Sequence, residues 1–179
     1  MRKIILILII FIHCNYSYAE NKIAYIDINN ILNNSIVGQS ISKYIKDIKE
    51  KKKKEFLLIE NKLLDKEKDI IKKKNIIEKA EFDKEVSMLK NEINEYTNQK
   101  NKFNKEIDEK KIKYTKVVLN VLNPIISKYV EDNSITIVFP KKNIIIAKKN
   151  LDITSTIMNL LNNQLKEIDF WYEKNKFFF

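Results

Sequence analysis

The sequence predicts an α+β protein. A small β-rich oligomerisation head, of three strands plus short helices, carries a long protruding antiparallel coiled-coil helical hairpin. Three observations point there. The 179 residues include one Gly and two Pro, which leaves little material for tight turns. A stretch of 84 residues, Ser40–Asn123, contains neither. Short segments rich in β-formers lie on both sides of that stretch.

The N-terminus reads as a targeting segment. Arg2 and Lys3 precede an unbroken apolar run from Ile4 to Ile12, and a polar stretch ends in Ser17-Tyr18-Ala19. This is the layout of a cleavable secretory signal over residues 1–19, cut after Ala19. Nine apolar residues fall well short of the roughly 20 that span a bilayer. Cys14 follows His13, a bulky residue where a lipoprotein signal needs a small one, so lipidation is rejected. Processing at Ala19 removes the only Cys and the only His, and losing Arg2 and Lys3 lowers the net charge from +10 to +8. Disulfides, thiol chemistry, His-based catalysis and zinc sites lose their ligands together. No acidic pair falls in a plausible pocket segment, so the chain is not expected to be an enzyme, and neither a cofactor nor a metal is expected.

The basic charge excludes less than its size suggests. All but one of the 34 basic residues are Lys, and the exception is Arg2. Arg is the residue favoured for bidentate phosphate and base contacts, so no nucleic-acid partner is expected. The Lys runs at Lys51–Lys54 and Lys72–Lys74 read first as solvated helix faces. Attraction to acidic unfolded chains or to an anionic membrane surface stays open.

Elements follow in order. Residues Lys22–Asp27 (Lys-Ile-Ala-Tyr-Ile-Asp) read as a buried strand. Asn29–Ser35 reads as a short helix or turn, closed by Gly38. Within 40–123 the apolar spacing is heptad. Phe56, Ile59, Leu63, Lys66, Ile70, Lys73 and Ile77 alternate steps of 3 and 4. So do Phe82, Val86, Leu89, Ile93, Tyr96, Lys100, Phe103, Ile107, Lys110, Tyr114, Val117 and Val121. The step from Ile77 to Phe82 is five, so two seams meet out of phase, with a tip near 75–81. One straight helix of 84 residues would run about 126 Å, whereas a hairpin lets each seam bury against the other. Pro124 should kink or interrupt the second helix. Asp132-Asn133-Ser134 is a turn signal. Ile135–Phe139 is the strongest strand signal, and a turn at Pro140–Asn143 should return Ile144–Ala147 beside it as a β-hairpin. Asp152 can cap a last helix with Ile153, Ile157, Leu160, Leu161, Leu165 and Ile168 on one face.

The organisation expected is therefore a head from 20–39 and 124–168, an arm over 40–123, and an aromatic-rich tail at 169–179. The head is small and its strands leave edges, so it gains from oligomerising. Its candidate oligomerisation residues are Ile23, Tyr25, Ile26, Ile135, Ile137, Phe139 and Ile145.

The order of these segments resembles the Skp/OmpH family of periplasmic chaperones. Lys22–Asp27 is similar to the family's Lys-Ile-Ala-x-x-(Asn/Asp) start, and Leu151–Ile157 to its Asp-Ile-Thr helix start. The resemblance covers about residues 22–168. It implies a homotrimer whose β-rich bodies form one head, with three helical hairpins around a cavity that holds unfolded outer-membrane β-barrel proteins. The implied activity is that of an ATP-independent periplasmic holdase. The tail extends past the family's usual end, and Lys stands for the Arg that relatives carry at the hairpin tips. No lipopolysaccharide or phosphate site is carried over.

A holdase needs weak, distributed contacts, and the first long helix offers a row for them. Leu57, Leu64 and Ile71 repeat every seven residues, about 100° off the seam. They read as candidate client-binding residues or as a broadened core contact. The tail has three open readings: a loosely ordered end, packing on the head, or occupation of the protein's own cavity or contact with membrane. The alternative function, from another class, is a structural or adaptor coiled coil of a cell-envelope assembly. Such a hairpin usually sits inside larger β-barrel domains than these flanks can form.

Overall fold

A computed structural model describes residues 22–168; the expected secretory signal at 1–19 and the aromatic-rich tail at 169–179 lie outside the described residues. The elements are β1 (Lys22–Ile26), α1 (Ile28–Asn34), α2 (Ile36–Lys73), α3 (Lys79–Asp132), β2 (Ile135–Pro140) and α4 (Thr154–Gln164). Two single-turn 3-10 helices, Lys141–Asn143 and Lys149–Leu151, sit between β2 and α4.

The head begins with a tight corner. The Asp27 carboxylate accepts the Asn30 N–H at 2.9 Å and starts α1. The fully buried Ser35 separates α1 from α2, and its Oγ accepts the Gly38 N–H at 3.2 Å. Gly38 was expected to close the short helix. It lies instead in the first turn of α2. A Cβ there would stand 2.8 Å from the Leu32 carbonyl carbon and closer still to its oxygen. Glycine therefore serves the close approach of α1 to α2 rather than a helix stop. The Ile36 N–H, unpaired within α2, donates to Asn162 Oδ1 of α4 at 2.8 Å.

The long excursion is two helices of 38 and 54 residues, joined by residues 74–78 without Gly or Pro. Pro124 neither ends nor interrupts α3, contrary to expectation. An interior proline costs about 3 kcal/mol in lost hydrogen bonding and crowding. Here Val118, Leu122 and Ile125 are all buried around it, and their combined burial outweighs that cost. The helix ends where expected, with Ser134 at φ 53° and the Asn133 side chain donating to the Tyr129 carbonyl at 2.8 Å.

The sheet differs from the expected three-stranded arrangement. The described residues contain two strands, β1 and β2, and they are parallel. Ile23 pairs with Ile137, Ala24 with Val138, Tyr25 with Phe139 and Ile26 with Pro140. An irregularity between Lys22 and Ile23 inserts one extra residue in β2 and resets which side chains face inward. Ile144–Ala147 does not return as a strand. Pro140 cannot donate a ladder hydrogen bond, and the chain turns away through Lys141–Asn143. It comes back on the other side of β1, where Asp152 bridges Tyr25 and the Ile153 N–H donates to the Tyr25 carbonyl at 3.0 Å. The partner on that edge is thus one residue at Asp152, not a third strand.

One core holds the head. Ala24 and Ile26 of β1, Ile31 of α1, Val37 of α2, Val118, Leu122 and Ile125 of α3, and Ile153, Ile157 and Leu161 at α4 form a single cluster. Leu160, expected on the same face, is exposed. Asp152 does act at the start of α4, accepting the Thr154 N–H at 3.0 Å and pairing with Lys141 at 3.5 Å. The Thr154 hydroxyl in turn accepts the Asp27 N–H at 2.9 Å, which ties the end of β1 to the start of α4.

Two outcomes follow for the head. Gly38→Ala should destabilise it by about 1–3 kcal/mol, the range for overpacking a tight site. A urea midpoint at fixed protein concentration checks this, and an unchanged midpoint would show that the corner has room. Partial burial pushes the Asp152 carboxyl up, but hydrogen bonds from Thr154 and the Lys141 charge outweigh it and hold the group below its ordinary 3.8. Its contribution is therefore complete above about pH 4 and is lost as pH falls through the lowered value. Asp152→Asn should flatten that part of the stability-versus-pH curve; an unaltered acid limb would contradict the assignment.

Candidate functional site

The arm is the largest surface that the head core does not use. Its two helices run in opposite directions: Tyr44 meets Tyr114 edge to face, Phe56 meets Phe103 likewise, and farther out Lys66 pairs with Glu92 and Lys73 with Glu85. The base is held by a second cluster of Ile45, Ile107 and Tyr114. The middle is held by aromatic edges. The buried Phe56 ring meets Tyr96 and Phe103 at centroid distances of 5.8 Å, both near perpendicular. Lys52 Nζ lies 5.2 Å above Phe56, and Lys100 Nζ 5.5 Å above Tyr96.

Toward the tip the seam becomes polar and wetter. Ile59, Leu63 and Ile70 on α2 and Ile77 in the tip turn, with Phe82, Leu89, Tyr96 and Phe103 on α3, are half-buried, while Val86 and Ile93 are exposed. The seam lysines find acidic partners on the opposite helix. Lys66 Nζ reaches Glu92 at 2.6 Å and Lys73 Nζ reaches Glu85 at 2.8 Å. The hydrogen bond and charge of Glu85 raise the Lys73 ammonium above its ordinary value. Exposed pairs of this kind are screened by water and salt, so they fix register more than they add stability.

Near the head the seam drifts. The spacing points to Val117 and Val121, but the fully buried residues are Val118 and Leu122. A 3.5-residue seam drifts against a 3.6-residue helix, and at the base α3 turns its face to β1 and α4 rather than to α2 alone.

The candidate contact row is where the spacing puts it. Leu57, Leu64 and Ile71 are 55%, 47% and 62% exposed, so none of them broadens the core. Each follows a seam residue by one position and lies on one flank of the arm. Leu58 and Met88 are also exposed, and each precedes a seam residue, which in two opposed helices puts them together on the other flank. The sequence reading did not single out that second flank. Its signal was present, as apolar residues immediately before Ile59 and Leu89.

The head residues separate into two groups. Ile26 packs in the head core, Ile135 packs partly against it, and Tyr25 is buried on the central strand. Ile23, Ile137 and Phe139 are exposed, and the register brings Ile23 beside Ile137 and Phe139 beside Tyr25 on one outward sheet face. Ile145, expected in a returning strand, is 98% exposed in the segment after Lys141–Asn143. Among the described residues, no helix is long and apolar enough to cross a membrane.

Comparison with known proteins is consistent with this geometry. No curated protein matches the chain. The fold is similar to that of a crystal structure of a candidate outer membrane chaperone (OmpH-like) from Caulobacter crescentus CB15. The TM-score is 0.72 at 18% identity, over 83% of this chain and 88% of that one. The model of the family "Outer membrane protein (OmpH-like)" matches residues 22–161, most of the head and the whole arm, and the chain belongs to that family.

Proposed function

We propose that the chain is an ATP-independent periplasmic holdase chaperone, which binds unfolded outer-membrane β-barrel proteins in a cavity between the helical arms of a homotrimer. The observation that carries this reading is the exposed row Leu57, Leu64 and Ile71 on an arm that projects from a closed head. Family membership and the fold shared with a candidate outer membrane chaperone support the class of function.

Magnitudes favour several arms over one. Fully burying a Leu or Ile side chain contributes about 1.5–3 kcal/mol, so three half-exposed ones offer about 3 kcal/mol in all. That is weaker than even a millimolar contact, at about 4 kcal/mol. Retention of a client then needs several such rows acting at high effective concentration. An assembly of three arms supplies them, and weak individual contacts leave the client free to rearrange and depart. The outward sheet face of Ile23, Ile137 and Phe139, with Ile145 beyond it, offers the apolar surface through which heads would join. Tyr25 belongs to the same face, and Ile26 and Ile135 would shape it from behind.

Replacing Leu57, Leu64 and Ile71 together with Ser should weaken binding of a urea-unfolded β-barrel protein at least tenfold, the factor for about 1.4 kcal/mol. The oligomeric mass should not change, because the row lies off the head. Suppression of client aggregation at the wild-type level would remove the row from the mechanism.

A further inference from the structure

The base of the arm is covered more completely than two helices can manage. Ile107 and Tyr114 are 2% and 3% exposed, whereas Val86 and Ile93, on the same seam of α3, are exposed. Two paired helices leave the sides of their seam to water, as at Val86 and Ile93. Among the described residues, Ile168 is the only apolar side chain from outside α2 and α3 that packs on the base cluster. It also packs on the head core, and it is the last described residue.

The two flanks differ at this level. The flank that carries the Leu57 row farther out is here an open cleft lined by Ser42, Lys49, Lys111 and Thr115, and Ile168 does not line it. On the opposite flank, Tyr44, Ile48 and Lys51 form a row at steps of 4 and 3, facing Lys110, Lys113 and Tyr114. The Tyr44 and Tyr114 rings meet there at 5.9 Å. Residues 169–179, which follow Ile168, include six aromatics and the acids Asp169 and Glu173. Extended, they reach about 36 Å, while Tyr44 and Lys51 stand only about 10 Å apart along α2. Asp47 and Glu106 lie beside the row and make it a surface of mixed charge, which suits a segment that also carries Lys174 and Lys176.

We infer that the segment 169–179 docks on this flank of its own chain, with Trp171 and its aromatic neighbours against Tyr44, Ile48 and Tyr114, and Lys51 and Lys113 as cations for Asp169 and Glu173. Large aromatic side chains supply the burial, and the charges set the direction of the segment. The docked tail closes one side of the arm base and leaves the Leu57 flank as the open one. It needs a single chain, so it stands apart from the trimer and from client binding.

Trp171 is the chain's only Trp, so its fluorescence reports the tail directly. In the full chain its emission should be blue-shifted, and acrylamide should quench it about threefold less than in concentrated urea, because a packed indole is shielded. Lys51 and Lys113 are exposed. Lys51→Glu with Lys113→Glu should raise quenching about twofold, and adding Glu173→Lys should restore the shielding, which separates release of the tail from damage to the arm. The same charge change on the opposite flank, Lys46→Glu with Lys49→Glu, should leave Trp171 shielded. A Trp171 as accessible as in urea, shielding untouched by the Lys51 and Lys113 reversal, or equal loss on reversing Lys46 and Lys49 would overturn the inference. A second copy is the remaining occupant to exclude. When a Trp171→Phe chain is unfolded and refolded together with the Lys51→Glu, Lys113→Glu chain, Trp171 should stay accessible. Shielding regained in that mixture would overturn the inference, since the tail would then cross to another chain.

Discussion

The structure depends on one pairing between distant parts of the chain. β1 ends at Ile26 and β2 begins at Ile135, and the two lie side by side in parallel. Parallel strands need a long crossover, and here that crossover is the arm itself. The excursion must therefore leave the head and return to it. The helices have to run in opposite directions because the strands have to meet. The core then closes over that junction: Ala24 and Ile26 from one side of the excursion pack with Leu122, Ile153, Ile157 and Leu161 from the other. Neither flank could bury these residues alone. Loop closure over more than 100 residues is entropically expensive, and the seam between the two helices offsets it by making the return path a packed hairpin instead of free chain.

Burial along the arm falls from base to tip, and function can be read from that gradient. At the base, Ile45, Ile107 and Tyr114 are buried in a cluster continuous with the head through Ile41 and Ile168. In the middle, Phe56 is buried between two aromatic edges. Beyond it, the seam is held by half-exposed aliphatics and by the exposed pairs of Lys66 with Glu92 and Lys73 with Glu85. Ion pairs in water add little stability, so the outer arm opens at lower cost than the base. Apolar side chains that a stable globule would hide stand in the open along this outer part. A rigid anchor with a compliant, lightly apolar outer half suits contacts that must be numerous and individually weak.

Much of this was legible in the sequence, and the misses share a cause. The seam could be counted because heptad spacing is local, and Leu57, Leu64 and Ile71 fell off it where the structure exposes them. The strand at Ile135–Phe139 was legible from its β-branched run. The errors concern what each segment packs against. Ile144–Ala147 has a strand's composition, but pairing is decided by the partner edge, and β1 takes β2 on one side and Asp152 on the other. Gly38 looked like a helix stop, yet its role is set by the Leu32 carbonyl across the corner. Pro124 looked like a break, yet burial of Leu122 and Ile125 holds the helix through it. The shift from Val117 to Val118 likewise reflects a change of neighbour, from α2 to the head core. Local signals gave the rods and strands; tertiary contacts chose their ends and edges.

The central claim is that several copies join through their heads and hold an unfolded protein between their arms. Light scattering coupled to size exclusion, without and with a urea-unfolded β-barrel protein, tests it most directly. The account predicts a mass three times that of one chain alone, and a single discrete complex of that trimer with the client. A monomer that elutes unchanged in the client's presence would contradict it.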